Sequence, residues 1–245
     1  MELRGKGALV TGGARRLGRA FVLALAEAGM DVLVHYGHAA REAERTVQEA
    51  RRYGVRAFAL QADLTRAEEI APLMDRATEL LGTPPRVLVN SAAVFKAGTL
   101  RDTTLDNWVE HMRLNLRAPF LLMQAFARAL GSQTPGKIVN IADWRALYPG
   151  RKYVAYTVSK AGLLTLTLIA ARELAPHIQV NALALGAVLP PPGADEAYLQ
   201  RLVQHIPARR AARVEEVTDA LLFLLRNDYI TGETLLVDGG AHLGT

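Results

Sequence analysis

The stretch "GALVTGGARRLGRAFVLALAEAGMDVLVHY", residues 7–36, decides the architecture. "GALVT" (7–11) and "DVLVHY" (31–36) are short apolar, partly β-branched runs with little polar alternation, the pattern of strands covered on both faces. Between them "LGRAFVLALAEAG" (17–29) repeats its apolar residues at spacings of three and four and stops at a glycine, as an amphipathic helix does. Strand, glycine-rich turn, helix and strand make a right-handed crossover between parallel strands. In the turn, glycines at 12 and 13 permit a tight bend and Gly18 allows the helix to approach the sheet. The first helical turn offers free N–H groups and a partial positive charge to a phosphate, and Arg15 and Arg16 suit a second phosphate better than a neutral turn would. Alone, such a turn is equally compatible with a purely structural role.

The same alternation continues outward. "VRAFAL" (55–60), "RVLVN" (86–90), "KIVNI" (137–141), "IQVNAL" (178–183) and "TLLVD" (234–238) read as further strands. The segments 40–54, 67–82, 105–131, 154–175 and 214–225 carry helical spacing. The expectation is an α/β chain folded as one doubly wound domain over 1–245, its parallel sheet covered by helices on both faces, with ligands at the carboxyl ends of the strands. The irregular region is 185–213, where three successive prolines bar regular pairing. It is expected to form a substrate flap over about 186–213 with a short helix near 195–205.

Composition removes several classes of function. Half the residues are apolar and 22% are charged, which suits a large core. The absence of cysteine excludes disulfides, thiolate metal sites and cysteine nucleophiles, and no metal site is expected. The net charge of +5 could serve nucleic acid, but the arginines are interspersed with glutamates ("AREAERTVQEARR") and no aromatics lie among them, so no nucleic-acid partner is expected. The first residues lack a leader-like apolar run and no later uncharged apolar segment reaches membrane-spanning length. A cytoplasmic protein without membrane contact follows.

The strand ends carry the chemistry. An NAD-preferring site usually places an acidic residue after the second strand, and 32–41 contains none. His35, His38 and Arg41, with Arg15 and Arg16, make that corner positive and point to NADP(H), unless the histidines are merely loop residues. Asp63 and Asn90 end the third and fourth strands, one placed for an adenine amino group and the other for backbone or ribose, or both simply as caps. Asn115 sits in an otherwise apolar helical stretch and must be satisfied there, by water or by a lysine. Tyr156 and Lys160 share a helix face, and an ammonium beside a phenol favours the phenolate. Asp143 lies thirteen positions before that tyrosine.

Together, "TGGARRLG", "NSAA", Asn115, "YTVSK" and "YITGETLLVDGG" resemble the short-chain dehydrogenase/reductase family over essentially the whole chain. The resemblance implies a seven-stranded Rossmann-type sheet and a Tyr156–Lys160–Asn115 constellation. It also implies a homotetramer or dimer, with 105–130 and 156–175 at the interface unless their apolar residues are core. For cofactor contacts it adds Gly12, Leu17, Gly18, Tyr36, Leu64, Ser91, Ala92, Gly186 and Val188 to Arg15, Arg16, His35, His38, Asp63, Asn90, Tyr156 and Lys160. Three departures stand out: Arg16 replaces a glycine, Leu185–Gly186 replaces "PG", and Asp143 replaces the serine whose hydroxyl would donate to a substrate carbonyl. A carboxylate only accepts, which suits a substrate bringing N–H donors. In this the chain is most similar to pteridine reductases and dihydromonapterin (dihydrofolate) reductases, which share "HY" after the second strand, "QADLT", the aspartate, and a phenylalanine that here is Phe95. That similarity implies hydride transfer to a C=N bond of a pterin, with Arg16, Phe95, Asp143, Tyr153 and Tyr156 at the substrate, Phe95 stacking the ring, and Asn115 holding a water that links Lys160 to solvent. The alternatives are a 3-oxoacyl-acyl-carrier-protein or general carbonyl reductase, and a non-catalytic dinucleotide sensor.

Overall fold

The computed structural model describes residues 1–191 and 196–243. All seven expected strands form: β1 (Gly7–Val10), β2 (Asp31–Tyr36), β3 (Ala57–Gln61), β4 (Val87–Asn90), β5 (Gly136–Asp143), β6 (Ile178–Leu185) and β7 (Thr234–Val237). They make one parallel sheet in the order β3-β2-β1-β4-β5-β6-β7. The order reverses direction between β1 and β4, so the chain's crossovers leave a crevice above those carboxyl ends. Period two along the strands sorts the two faces. Val10, Val34 and Val89 pack with Phe21, Val22 and Leu221 of α1 (Arg16–Glu27) and α8 (Val214–Arg226), beside α2 (Ala40–Arg51). Leu9, Leu33 and Leu88 point the other way, onto Met74 of α3 (Ile70–Leu81) and Phe126 of α5 (Ala118–Leu130).

One helix differs from the sequence expectation. The long helix over 105–131 is broken into α4 (Leu105–His111), a π-helical segment (Met112–Arg117) and α5. Asn115 lies inside the π segment, where the wider turn rotates it into the interior. The next helix, α6 (Val154–Leu174), forms where expected. By length and composition it could cross a membrane, but Lys160 interrupts its apolar run, half of its most apolar window is buried in the protein, and it carries Tyr156. After β6, residues 186–191 lie over the sheet end, and the expected short helix is α7 (Glu196–Val203). Residues 192–195 of the expected flap lie outside the described residues. Leu199, Val203 and Ile206 pack with Ala241, Trp144 and Ala187, which seats the flap helix on the ends of β5 and β6.

Candidate active site

A cleft of about 700 Å3 opens along the carboxyl ends of the strands. Its first wall is the turn between β1 and α1. Gly12 has φ +65 and Gly18 lies so near the turn that a Cβ there would sit 2.1 Å from the Gly12 carbonyl oxygen, so helix and strand meet only because both lack side chains. No side chain caps α1, leaving its first amide hydrogens available to an anion. Arg16 has φ 52, the left-handed region usually reserved for glycine, and occupies the position where the family's motif carries one. Its guanidinium donates to the Pro190 carbonyl at 2.5 Å, tying the turn to the segment after β6. Arg15 points outward and pairs with Glu42 at 3.2 Å. Leu17 completes this wall.

The corner after β2 corrects the sequence reading. His35 is buried; its Nδ1 accepts from the Gly12 amide at 3.2 Å and its Nε2 donates to the Ala62 carbonyl at 3.0 Å. Burial lowers its pKa to about 4, against a weaker opposing effect of the Ala62 bond. His35 is therefore neutral and joins the glycine turn to the end of β3; it adds no charge to the corner. Arg41 and Tyr36 do not line the cleft, whereas exposed His38 does. The positive charge of the corner therefore rests on Arg15 and Arg16. Asp63, also in the wall, accepts from the amide and hydroxyl of Thr65, and these bonds hold its carboxylate below its usual range.

The floor is the end of β4. Thr11 accepts from the amides of Ser91 and Ala92 at 2.9 and 3.0 Å, binding β1 to the segment that presents Ser91, Ala92 and Phe95 to the cleft. Asn90 instead points into the sheet and donates to Asn140 at 2.8 Å, which in turn donates to Thr167 of α6 at 2.9 Å. The expected partner of this side chain is backbone or ribose; its amide nitrogen bonds the neighbouring strand's Asn140 side chain. Asn115 is likewise used internally. Its amide oxygen accepts from the Val94 N–H at 2.9 Å, and its nitrogen donates to the Val94 carbonyl at 3.0 Å and to Ser159 at 3.1 Å. These protein bonds, none of them to a lysine, engage the side chain, which is absent from the cleft wall. Tyr153 also lies behind the wall: it stacks on Phe95 with centroids 4.4 Å apart and pairs with Tyr198 of α7. One face of Phe95 is thus covered, and its edge-on partner is Tyr156 at 4.7 Å.

The far wall brings β5 and α6 together. Tyr156 donates to Asp143 Oδ2 at 3.2 Å. Asp143 Oδ1 caps the short turn after β5, accepting from the Arg145 amide at 2.9 Å, while Arg145 Nη1 lies 3.2 and 3.3 Å from the two carboxylate oxygens. Lys160 is buried one turn beyond Tyr156, donates to the Ile141 carbonyl at 2.6 Å, and lies 5.8 Å from the tyrosine ring centre. Burial lowers the lysine to about 8, opposed by the Asp143 charge. The tyrosine moves opposite to expectation: burial first, then the Asp143 charge and hydrogen bond, raise its pKa well above the ordinary phenol value. It is a protonated phenol, not an incipient phenolate. Gly186 and Val188 close this wall together with Leu199 of α7. Among the described residues, no cluster of three or more His, Cys, Asp or Glu could hold a metal.

Sequence reasoning missed Thr11, Arg145 and Ser159. Thr11 and Ser159 stand inside quoted motifs, and the signal for Arg145 was its place two residues after a strand-end aspartate.

A strand-switch crevice, a glycine turn and a buried Tyr–Lys pair define a Rossmann-type oxidoreductase, and the chain belongs to the short-chain dehydrogenase/reductase family. The family profile described as enoyl-(acyl carrier protein) reductase matches residues 12–242. A 3-oxoacyl-acyl-carrier-protein reductase, FabG, from Staphylococcus epidermidis is 31% identical over 97% of this chain and 99% of its own length. A 2-dehydro-3-deoxy-D-gluconate 5-dehydrogenase from Escherichia coli K12 is 34% identical over 98% and 96%. Among solved structures, FolM alternative dihydrofolate reductase 1 from Brucella canis, complexed with NADP, superposes with TM-score 0.93 at 33% identity, covering 99% of this chain and 96% of that one.

Proposed function

We propose that residues 1–245 act as one NADP(H)-dependent reductase that adds hydride and a proton across a C=N bond of a pterin or dihydrofolate-like ring. The observation carrying this reading is the bond from Tyr156 to Asp143, a carboxylate where ketone reductases keep a hydroxyl donor. The likeness to the Brucella dihydrofolate reductase supports it.

The cleft fits the dinucleotide: its side-chain-free turn admits a pyrophosphate, and Arg15 and Arg16, held only by exchangeable partners, are the cations for a 2′-phosphate. When bound, NADPH supplies the hydride. Tyr156, protonated across the ordinary pH range, then donates to the ring nitrogen made basic by that addition. Lys160 and Arg145 offset the phenolate left behind. Asp143 accepts from substrate N–H groups, and the Phe95 ring bounds the flat substrate. His35 and Asn115 hold the backbone that shapes the cleft.

A second reading, reduction of a 3-oxoacyl thioester, is favoured by the FabG relatives and by Arg145, a donor standing beside the aspartate. We place the protein in the cytoplasm as a homotetramer, associating through 105–130 and 156–175, where Trp108, Phe120 and Leu168 are exposed. The test is NADPH oxidation with dihydrobiopterin or dihydrofolate against acetoacetyl thioester. Turnover of the pterins, shifted toward the thioester by Asp143→Ser, is expected; turnover of the thioester alone rejects the pterin reading.

A further inference from the structure

Asp143 leaves the site short of one function. Every bond it makes is accepted: from the Arg145 amide, from Arg145 Nη1 and from Tyr156. The phenol and the guanidinium bond the same oxygen, Oδ2, at 3.2 and 3.3 Å, so both donors are aimed at one spot at the end of β5. Arg145 is held there from several directions. Its guanidinium carbon lies 5.1 Å from the Trp144 ring centre and 5.8 Å from that of Tyr153, and its backbone is fixed by the Asp143 cap. The side chain is only 17% exposed, yet it forms part of the cleft wall. Among the described residues, its bonds to Asp143 engage Nη1 alone, leaving Nε and Nη2 without protein acceptors. A planar cation clamped between aromatic rings, facing the cleft with unused donors, costs little reorganisation when negative charge develops nearby.

We propose that Arg145 is a catalytic residue: its guanidinium donates to a substrate oxygen at the reacting centre, the ring oxo group beside the reduced C=N bond of a pterin or the ketone oxygen itself of a thioester, taking the donor role a hydroxyl at 143 would otherwise serve. Asp143 then serves as its aiming device and as the acceptor for Tyr156. The assignment holds for either acceptor class, because a pterin ring oxo group and a thioester ketone both present an oxygen acceptor. It therefore stands or falls separately from the pterin reading.

Removal of Arg145 also strips Asp143 of its counter-ion, so the experiment is a double-mutant cycle with Asp143→Asn, in which the counter-ion role is void. kcat/KM is measured with NADPH on whichever of dihydrobiopterin and acetoacetyl thioester the wild type turns over faster. Melting temperature and NADPH Kd are followed in parallel. Arg145→Met is expected to lower kcat/KM by about a hundredfold, as loss of an oxyanion donor does. In the Asp143→Asn background it should still cost at least tenfold, with Arg145→Lys recovering part of the loss and NADPH Kd unchanged. If Arg145→Met costs nothing further in that background, Arg145 is only the counter-ion and the assignment is overturned. Preference for the thioester would remove the pterin reading while leaving this outcome readable.

Discussion

On the cleft wall built by β1, β2 and β3 the cations stand at the surface, whereas on the wall built by β5 and α6 they are buried. Arg15 and Arg16 are solvent-facing and each leans on a partner it can exchange, Glu42 and the Pro190 carbonyl. Exposed pairs of this kind are worth under about 1 kcal/mol, so a phosphate displaces them cheaply. Lys160, Asp143 and Tyr156 are enclosed, and each touches a fixed partner. The first wall is suited to catching a mobile anion; the second holds one charge pattern ready before anything arrives. His35 shows the contrast from within the first wall: the one titratable side chain buried there has been discharged and serves as a backbone clip.

The largest effect should come from the buried wall. Tyr156→Phe removes the proton donor and is expected to lower turnover by about a hundred- to ten-thousandfold while NADPH Kd changes little, as stopped assays and cofactor fluorescence would report. Near-normal turnover would show that the enclosed wall does not carry the chemistry. Next is the pH dependence of stability. A histidine titrating at about 4 when folded and 6.5 when unfolded contributes stability that is complete above pH 6.5 and is lost as pH falls toward 4. The loss should be on the order of 3 kcal/mol, and His35→Asn should flatten that slope in urea titrations across the window. An unchanged slope would mean that the ring is not enclosed. The smallest effect belongs to the open wall. Glu42→Gln frees Arg15 of its exposed partner and should tighten NADPH by a few-fold at low salt, vanishing at high salt; no change would place Arg15 outside the phosphate site.

The sheet was legible because its inner strands are enclosed on both faces and so read as apolar runs, "VLVHY" as clearly as "RVLVN", and the partly buried edge strands β3 and β7 keep the same composition. The glycine turn was legible because Gly12 and Gly18 answer a steric demand that no other residue meets. Charge state was not. His35 counts as a cation until its burial is known, and its only hint is its place within an apolar strand. The π-helical break at 112–117 was invisible because one extra residue in a turn leaves the apolar spacing nearly intact; the poor helix former Asn115 was its sole trace. For the same reason the side-chain bonds of Asn115 to Val94 and Ser159 were not foreseen, where water or a lysine had been expected. The Tyr156 shift was misread in sign because the sequence shows the neighbouring ammonium but neither the depth of burial nor the carboxylate's aim.

The Asn115 clamp carries a lesson for anyone redesigning acceptor scope. Through Val94 it grips the loop that bears Phe95, and through Ser159 it grips the helix that bears Tyr156 and Lys160, so one amide sets the spacing between the aromatic ring and the acid. Libraries aimed at new substrates are best drawn from Leu199, Leu202 and Val188, which edge the cleft, with positions 94, 115 and 159 left as they are.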